Sequence, residues 1–280
     1  MSNRNDERSE IFGQGPAMPT RNIMKDDFGF EVPVEVVPLP SGGITYDVED
    51  PLHGQSTLEI KSMTAKDEDI LTSRALIKKG TVITHLLKSC IMNKGIDPGK
   101  MLSGDRNAVM IALRVTGYGP EYKVEVDCPE CGERSKQEFD LSEMPIKALE
   151  LQPVAVGANV FEFKLPVTKM PVRFKFLTGA DEQEMMTIAE RKKKKGFSGE
   201  TAVTARLSAC LIEVNGIKDK VKIDNFVRNM PARDSLALRK HLDDNEPGID
   251  MKSWMDCPHC TATSEVNLPL GASFFWPDSE

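Results

Sequence analysis

Apolar and polar positions alternate along Leu58-Glu59-Ile60-Lys61-Ser62-Met63, the two-residue period of a half-buried strand. The period then changes. Thr64, followed three residues later by Asp67, is a capping-box start for a helix. Val82, Leu86 and Cys90, with Ile83, Leu87 and Ile91, repeat at i, i+4 on one face of a second helix, which Asn93-Lys94-Gly95 stops. A third helix is expected from about Asp105 to Leu113. Glu121 to Asp127 alternates again, with Tyr122, Val124 and Val126 on one face; Gly132 turns the chain, and Phe139 and Leu141 close a hairpin.

The same order returns further along. Val160-Phe161-Glu162-Phe163-Lys164-Leu165-Pro166 reads as a strand, and Thr178 with Asp181 repeats the capped start. Val203, Leu207, Cys210, Leu211 and Val214 line a helix closed by Asn215-Gly216. Another helix runs from Pro231, suited to a first helical position, to about Leu242. Val266, Leu268 and Leu270 form the returning strand of a second hairpin. Residues 101–141 match 230–270 without a gap: Met101 with Met230, Asp105 with Asp234, Cys128 with Cys257, Cys131 with Cys260 and Leu141 with Leu270. Such self-similarity is read before any single element. The expected fold class is α+β, built of internally duplicated strand-helix-helix-hairpin units. A first copy occupies 31–145, a linker 146–157 and a second copy 158–280. Residues 1–30, broken by Gly13, Gly15, Pro16 and Pro19, are expected to be a flexible arm. The prolines of Val32 to Pro40 favour extended backbone, and an edge strand is expected there, ended by the turn Ser41-Gly42-Gly43.

Each expected hairpin carries one Cys-Pro-x-Cys turn at its tip, Cys128-Pro129-Glu130-Cys131 and Cys257-Pro258-His259-Cys260. Two such turns brought together offer the four soft ligands that a structural zinc ion takes tetrahedrally. The sequence therefore predicts one zinc per chain, held by Cys128, Cys131, Cys257 and Cys260 in a shared zinc-ribbon-like site. Thiol-disulfide enzymes also carry Cys-Pro-x-Cys, but there a helix follows the motif, whereas strands follow both copies here.

Net charge is −7 and the isoelectric point about 5.3, so no overall field favours phosphate backbones or anionic membranes. The first residues lack the apolar centre of a signal peptide, and the longest aliphatic run, Ala108 to Leu113, is far short of a membrane span. Cytoplasmic residence is expected, and there the six cysteines are thiols or metal ligands rather than disulfides. Cys90 and Cys210 sit among core positions and read as packing residues. His53, His85, His241 and His259 are scattered without metal or triad spacing, and no phosphate loop, nucleophile elbow or His-Glu-x-x-His occurs. An enzyme is unsupported. Asp105-Arg106 and Arg233-Asp234 read as helix-start residues, with a partner surface as the alternative. The run Arg191-Lys192-Lys193-Lys194-Lys195-Gly196 reads as a solvated helix end. Phe274-Phe275-Trp276-Pro277 must either fold back on the core or dock a partner.

The segments Val37 to Tyr46, Met63-Thr64-Ala65-Lys66-Asp67-Glu68, Gly104-Asp105-Arg106, the first knuckle and Leu268 to Pro277 resemble the baseplate hub proteins of T-even-type contractile-tailed bacteriophages. The resemblance covers residues 37 to 277. It implies a non-enzymatic structural or assembly component whose partners are other phage baseplate hub or tail proteins. It also implies the host cytoplasm during assembly and the virion tail baseplate as its locations. The alternative is a zinc-ribbon module that binds nucleic acid or a transcription or replication complex. The mixed charges of the first knuckle, Glu121, Lys123, Glu125, Asp127, Glu130, Glu133, Arg134 and Lys136, make nucleic acid an unfavoured partner.

Overall fold

Thr64 and Thr178 open their helices in the same way. The backbone N–H and hydroxyl of Thr64 both donate to Asp67 Oδ2, at 2.9 and 2.8 Å. The same groups of Thr178 donate to Asp181 Oδ2 at the same two distances. Each carboxylate thereby satisfies an N–H that the helix start leaves unpaired. Each is also met by a lysine from the strand end before it, Lys61 at 3.3 Å and Lys175 at 2.7 Å.

The architecture, taken from a computed structural model describing residues 21–25, 29, 31–194, 202–270 and 272–275, is a mixture of helices and small antiparallel sheets. In chain order the elements are β1 (Arg21–Lys25), β2 (Glu31–Pro38), β3 (Thr57–Lys61), α1 (Ala65–Thr72), α2 (Arg74–Lys79), α3 (Val82–Cys90) and α4 (Ser103–Tyr118). The first knuckle hairpin follows as β4 (Glu121–Asp127) and β5 (Arg134–Asp140), then β6 (Ile146–Lys147). The chain continues through β7 (Phe161–Lys164), β8 (Pro171–Phe174), α5 (Gly179–Lys194), α6 (Ala202–Cys210), β9 (Leu211–Val214), α7 (Lys220–Asn229) and α8 (Ala232–Asn245). It ends with β10 (Gly248–Ile249), β11 (Lys252–Asp256), β12 (Thr263–Asn267) and a 3-10 turn at Ala272–Phe275.

Two sheets have three strands, β1-β2-β3 and β7-β8-β9, and the two knuckle hairpins and the β6-β10 pair are separate two-stranded sheets. One continuous core of buried apolar side chains joins all of these, from Val37 and Leu58 through Leu113 and Phe174 to Leu242 and Phe275. Burying side chains of this size contributes about 1.5 to 3 kcal/mol each. The α4 helix is its spine, with Ala108, Val109, Met110, Ile111 and Leu113 all buried.

Several elements differ from the sequence reading. The strand β2 is central rather than an edge, because β1, inside the stretch expected to be a flexible arm, pairs with it antiparallel. Residues 1–20 of that arm lie outside the described residues. The helix expected through Val214 ends at Cys210, and Leu211–Val214 instead joins the free side of β8 as β9. Branched and aliphatic residues suit that half-buried edge. The α4 helix runs one turn further than expected, to Tyr118. The helices α2 and α7 were not anticipated; α7 buries Ile223 and Val227 and half-buries Phe226 against the core, an i, i+3, i+4 stripe that the sequence reading passed over. Residues 146–157, expected as a linker, are tied down: β6 pairs with β10, Leu149 N–H donates to Pro40 O at 2.9 Å, and Gly157 N–H to Ile44 O at 3.1 Å.

Two close approaches meet at the motif Gly104-Asp105-Arg106. A Cβ on Gly104 would lie 1.8 Å from Pro247 O, and one on Gly179 would lie 1.3 Å from Arg106 Nη1. Both glycines are required by close approach, one of backbone and one of a buried guanidinium. Between them Asp105, fully buried, accepts from Ser41 N–H at 2.9 Å, Ser41 Oγ at 2.6 Å and Tyr46 Oη at 2.5 Å. The helix-start reading thus missed a long-range tie. In the other half Asp234, also fully buried, accepts from the N–H groups of Val167 and Thr168 at 2.7 and 3.0 Å.

Candidate metal centre

The two hairpins bring their tips together through local rules and then through tertiary contacts. In the first, Cys128 N–H bonds to Glu133 O at 3.0 Å and Gly132 N–H to Cys128 O at 2.8 Å, and Gly132 takes the left-handed φ of 74° that closes the turn. In the second, Cys257 N–H bonds to Ala262 O at 3.0 Å and Thr261 N–H to Cys257 O at 2.9 Å. Thr261 holds φ of 60° there, a conformation that a β-branched residue adopts only under constraint. Away from the tips, Tyr122 Oη donates to Pro269 O at 2.7 Å and Gln137 Nε2 to Asp256 O at 3.2 Å, so each hairpin is braced against the other.

Cys128 Sγ lies 3.8 Å from Cys260 Sγ, Cys131 Sγ lies 3.7 Å from Cys257 Sγ, and all four sulfurs fall within 4.8 Å of one another. Four sulfurs placed tetrahedrally at about 2.3 Å from one zinc ion stand about 3.8 Å apart. The set fits such an ion. Four thiolates leave no open coordination position, and a tetrahedral all-sulfur site selects zinc or iron over harder cations. Cys128 and Cys257 are buried, while Cys131 and Cys260 reach the surface.

Charge is unevenly shared within the cluster. The Cys257 thiol is brought down to about 6, chiefly by the backbone N–H of Cys260 and against the cost of burial, with help from the His259 N–H and the thiols of Cys260 and Cys128. For Cys131 the backbone N–H of Glu133 also favours the thiolate, but burial and the three neighbouring sulfurs outweigh it and push the thiol up to about 12. A bound metal ion takes thiolates, so its binding would release the protons that these sulfurs carry.

The other cysteines behave as the sequence reading expects. Burial pushes Cys90 and Cys210 up to about 12, the mark of inert packing thiols. The histidines do not converge. His259 is exposed, His53 Nδ1 lies 2.6 Å from Tyr46 O, and His241 stacks on Phe163 at 4.3 Å between ring centroids. Among the described residues the four cysteines are the group of metal-binding side chains that converges. Lys195 and Gly196 of the basic run lie outside the described residues, and Arg191 and Lys194 are exposed at the end of α5.

The aromatic tail folds inward. Phe274 and Phe275 are fully buried, and Phe274 meets Tyr122 edge-on at 5.3 Å. Its carbonyl accepts from Arg114 Nε at 3.0 Å, while Arg114 also donates to Gly119 O at 2.6 Å and Glu121 O at 2.7 Å. Trp276 and Pro277 lie outside the described residues. Sequence reasoning missed Arg114, whose only signal was a charge directly after the aliphatic run Ala108 to Leu113.

The outer face of the first hairpin mixes charges and is acidic on balance, with Glu121 opposite Asp140 beside three pairs of opposite sign. Lys123 faces Glu138, Glu125 faces Lys136 and Asp127 faces Arg134, the last joined at 2.7 and 3.1 Å. No helix among the described residues is long and apolar enough to cross a membrane. No curated protein and no solved structure matches the chain. A family model does, described as T4 bacteriophage base plate protein, and it spans residues 43–276. By this match over most of its length, the chain belongs to the T4 bacteriophage base plate protein family.

Proposed function

We propose that this protein is a non-enzymatic component or assembly factor of the baseplate hub of a contractile phage tail, acting through contacts with other hub or tail proteins. The family match over residues 43–276 carries this reading. One zinc ion per chain, bound by Cys128, Cys131, Cys257 and Cys260, clasps the middle of the chain to its C-terminal part. A closed four-thiolate site supplies folding free energy rather than catalysis, on the order of 10 kcal/mol, which is comparable with a domain's whole stability.

The same proposal reads the chain as a duplicated unit, copies 31–145 and 158–280, related about the ion. Three paired features support it: the matched capping boxes of Asp67 and Asp181, the two knuckles, and the two buried aspartates. Each aspartate opens the helix before its knuckle and takes an N–H from a turn 64 residues earlier at Ser41 or 67 residues earlier at Val167. A nucleic-acid-binding ribbon is disfavoured by the mixed, on balance acidic face of the first hairpin, which offers phosphates no basic stripe.

The test is a pulldown of the tagged full chain from phage-infected cells, with metal analysis of the purified protein. Baseplate proteins should co-purify in a zinc-dependent manner, and Cys128→Ser should lose both the ion and the cooperative melting transition. Recovery of nucleic acid with salt-sensitive retention, and of no tail protein, would overturn the assembly role. Absence of metal from protein made under reducing, chelator-free conditions would overturn the clasp.

A further inference from the structure

All four sulfurs of the clasp lie within 4.8 Å of one another, and two pairs across the hairpins stand at close contact. Cys128 Sγ lies 3.8 Å from Cys260 Sγ, and Cys131 Sγ lies 3.7 Å from Cys257 Sγ. Within each Cys-x-x-Cys turn the backbone is held by its own hydrogen bonds, Gly132 N–H to Cys128 O in one and Thr261 N–H to Cys257 O in the other. Further N–H groups in the turns, those of Glu133, Cys260 and Ala262, point at the sulfurs of Cys131, Cys257 and Cys260.

A disulfide needs its sulfurs about 2.0 Å apart. Closing a pair inside one turn would pull sulfurs away from these N–H groups. Closing the cross-hairpin pairs shortens sulfur separations of 3.8 and 3.7 Å to about 2.0 Å, which rotation of the cysteine side chains and a small approach of the two tips would supply without remaking either turn. Cys131 and Cys260, one from each pair, are exposed and can be reached by an oxidant.

We propose that the cluster is convertible: on oxidation it forms two cross-hairpin disulfides, Cys128 to Cys260 and Cys131 to Cys257, which join the same two parts of the chain as the ion does. In each reaction two protein sulfurs form one S–S bond and pass an electron pair to a disulfide oxidant, here oxidised glutathione. The S–S bond of glutathione breaks into two thiolates, which take protons from the protein thiols or, where those sulfurs were metal-bound, from water. Any bound zinc leaves as a divalent cation. Because each bond closes a long loop, it constrains the unfolded chain strongly and keeps the fold closed without metal. The clasp is thus suited to a component that is assembled in a reducing cell and afterwards exposed to oxidising surroundings. This use rests on the baseplate reading, while the chemistry rests on the sulfur geometry alone.

The experiment takes the full chain purified under reducing conditions, measures its metal content, and treats it with excess oxidised glutathione beside a colorimetric zinc indicator. Unreduced protein is then digested with a glutamyl protease, which cuts after Glu130 and so separates Cys128 from Cys131. Loss of the four cluster thiols is expected, with Cys90 and Cys210 still free and the cross-hairpin pairs predominant. The oxidised, metal-free chain should keep a cooperative melting transition that the reduced, chelated chain loses. Predominance of Cys128–Cys131 and Cys257–Cys260, stable glutathione adducts without second-step closure, or an oxidised chain that melts like the reduced metal-free one would each overturn the inference. Metal content separates this result from the zinc reading. Cross-hairpin pairs in protein that never carried metal would uphold the inference and sink the zinc clasp, and zinc-bearing protein that closes within its turns would do the reverse.

Discussion

The phenol of Tyr46 donates to the buried carboxylate of Asp105 at 2.5 Å and, through the same oxygen, accepts the N–H of Leu102 at 3.0 Å. One hydroxyl thus satisfies an acid and a helix-start amide that both lie out of water, and pins the 40–46 turn to α4. Burial raises the Asp105 carboxyl above the ordinary range, against the pull of its Ser41 and Tyr46 hydrogen bonds. Tyr46→Phe keeps the ring but leaves both groups short of a partner, at a cost of about 1 to 3 kcal/mol. Urea denaturation should show the midpoint falling with the slope unchanged; an unaltered midpoint would mean that Asp105 finds another donor.

The capping carboxylates Asp67 and Asp181 are held below the ordinary carboxyl range. For Asp67 burial works the other way but is outweighed by the Ser89 hydroxyl, the N–H and hydroxyl of Thr64 and the charge of Lys61. For Asp181, burial is outweighed by the Lys175 and Thr178 donors and the lysine charge. A depressed folded value means stability that is present above the unfolded value, about 3.9, and lost as pH falls through the folded one. Asp67→Asn and Asp181→Asn should each lower stability at neutral pH by about 1 kcal/mol, the usual worth of a cap. Their difference from wild type should shrink below about pH 4. Melting temperatures from pH 7 down to pH 3 check this, and a difference that grows on acidification would contradict the sign.

Gly104→Ala places a methyl group 1.8 Å from Pro247 O, where no flexible side chain can give way. The β10 segment must move off α4, and overpacking of this kind costs about 1 to 3 kcal/mol or more. Gly99→Ala, where the nearest atom is a side-chain oxygen at 3.2 Å, serves as the tolerated control. Calorimetry should separate the two variants clearly.

Removal of residues 272–280 takes away the Phe274 carbonyl from Arg114 and two fully buried aromatic rings from the core. Loss of one such ring costs about 3 to 5 kcal/mol. The truncated chain should therefore melt well below the intact one in the absence of any partner. Full retention of stability would mean that Phe274 and Phe275 are dispensable to the fold and would restore them as docking residues.

Spacing along the sequence was enough for the features that depend on neighbours in the chain. The capping residues Thr64 and Asp67, the strand Thr57–Lys61, the helix Val82–Cys90 and the paired Cys-x-x-Cys turns follow from local hydrogen bonding and side-chain period, and they stand where those rules put them. The packing role of Cys90 and Cys210 also came from their periodic positions. Long-range relations were decided only by the tertiary structure. Asp105 reads in sequence as an ordinary helix-start acid, and its partners at Ser41 and Tyr46 leave no trace in the local pattern. Arg114 looks like a stray charge until Phe274 O, Gly119 O and Glu121 O converge on it. The strand β2 became central because a segment without strand period, β1, still had backbone groups to pair, and Leu211–Val214 left its helix because an open sheet edge was within reach. Backbone hydrogen bonding is indifferent to side-chain period and goes to whichever unpaired neighbour the fold brings close, so strand partners and buried ties belong to the tertiary structure.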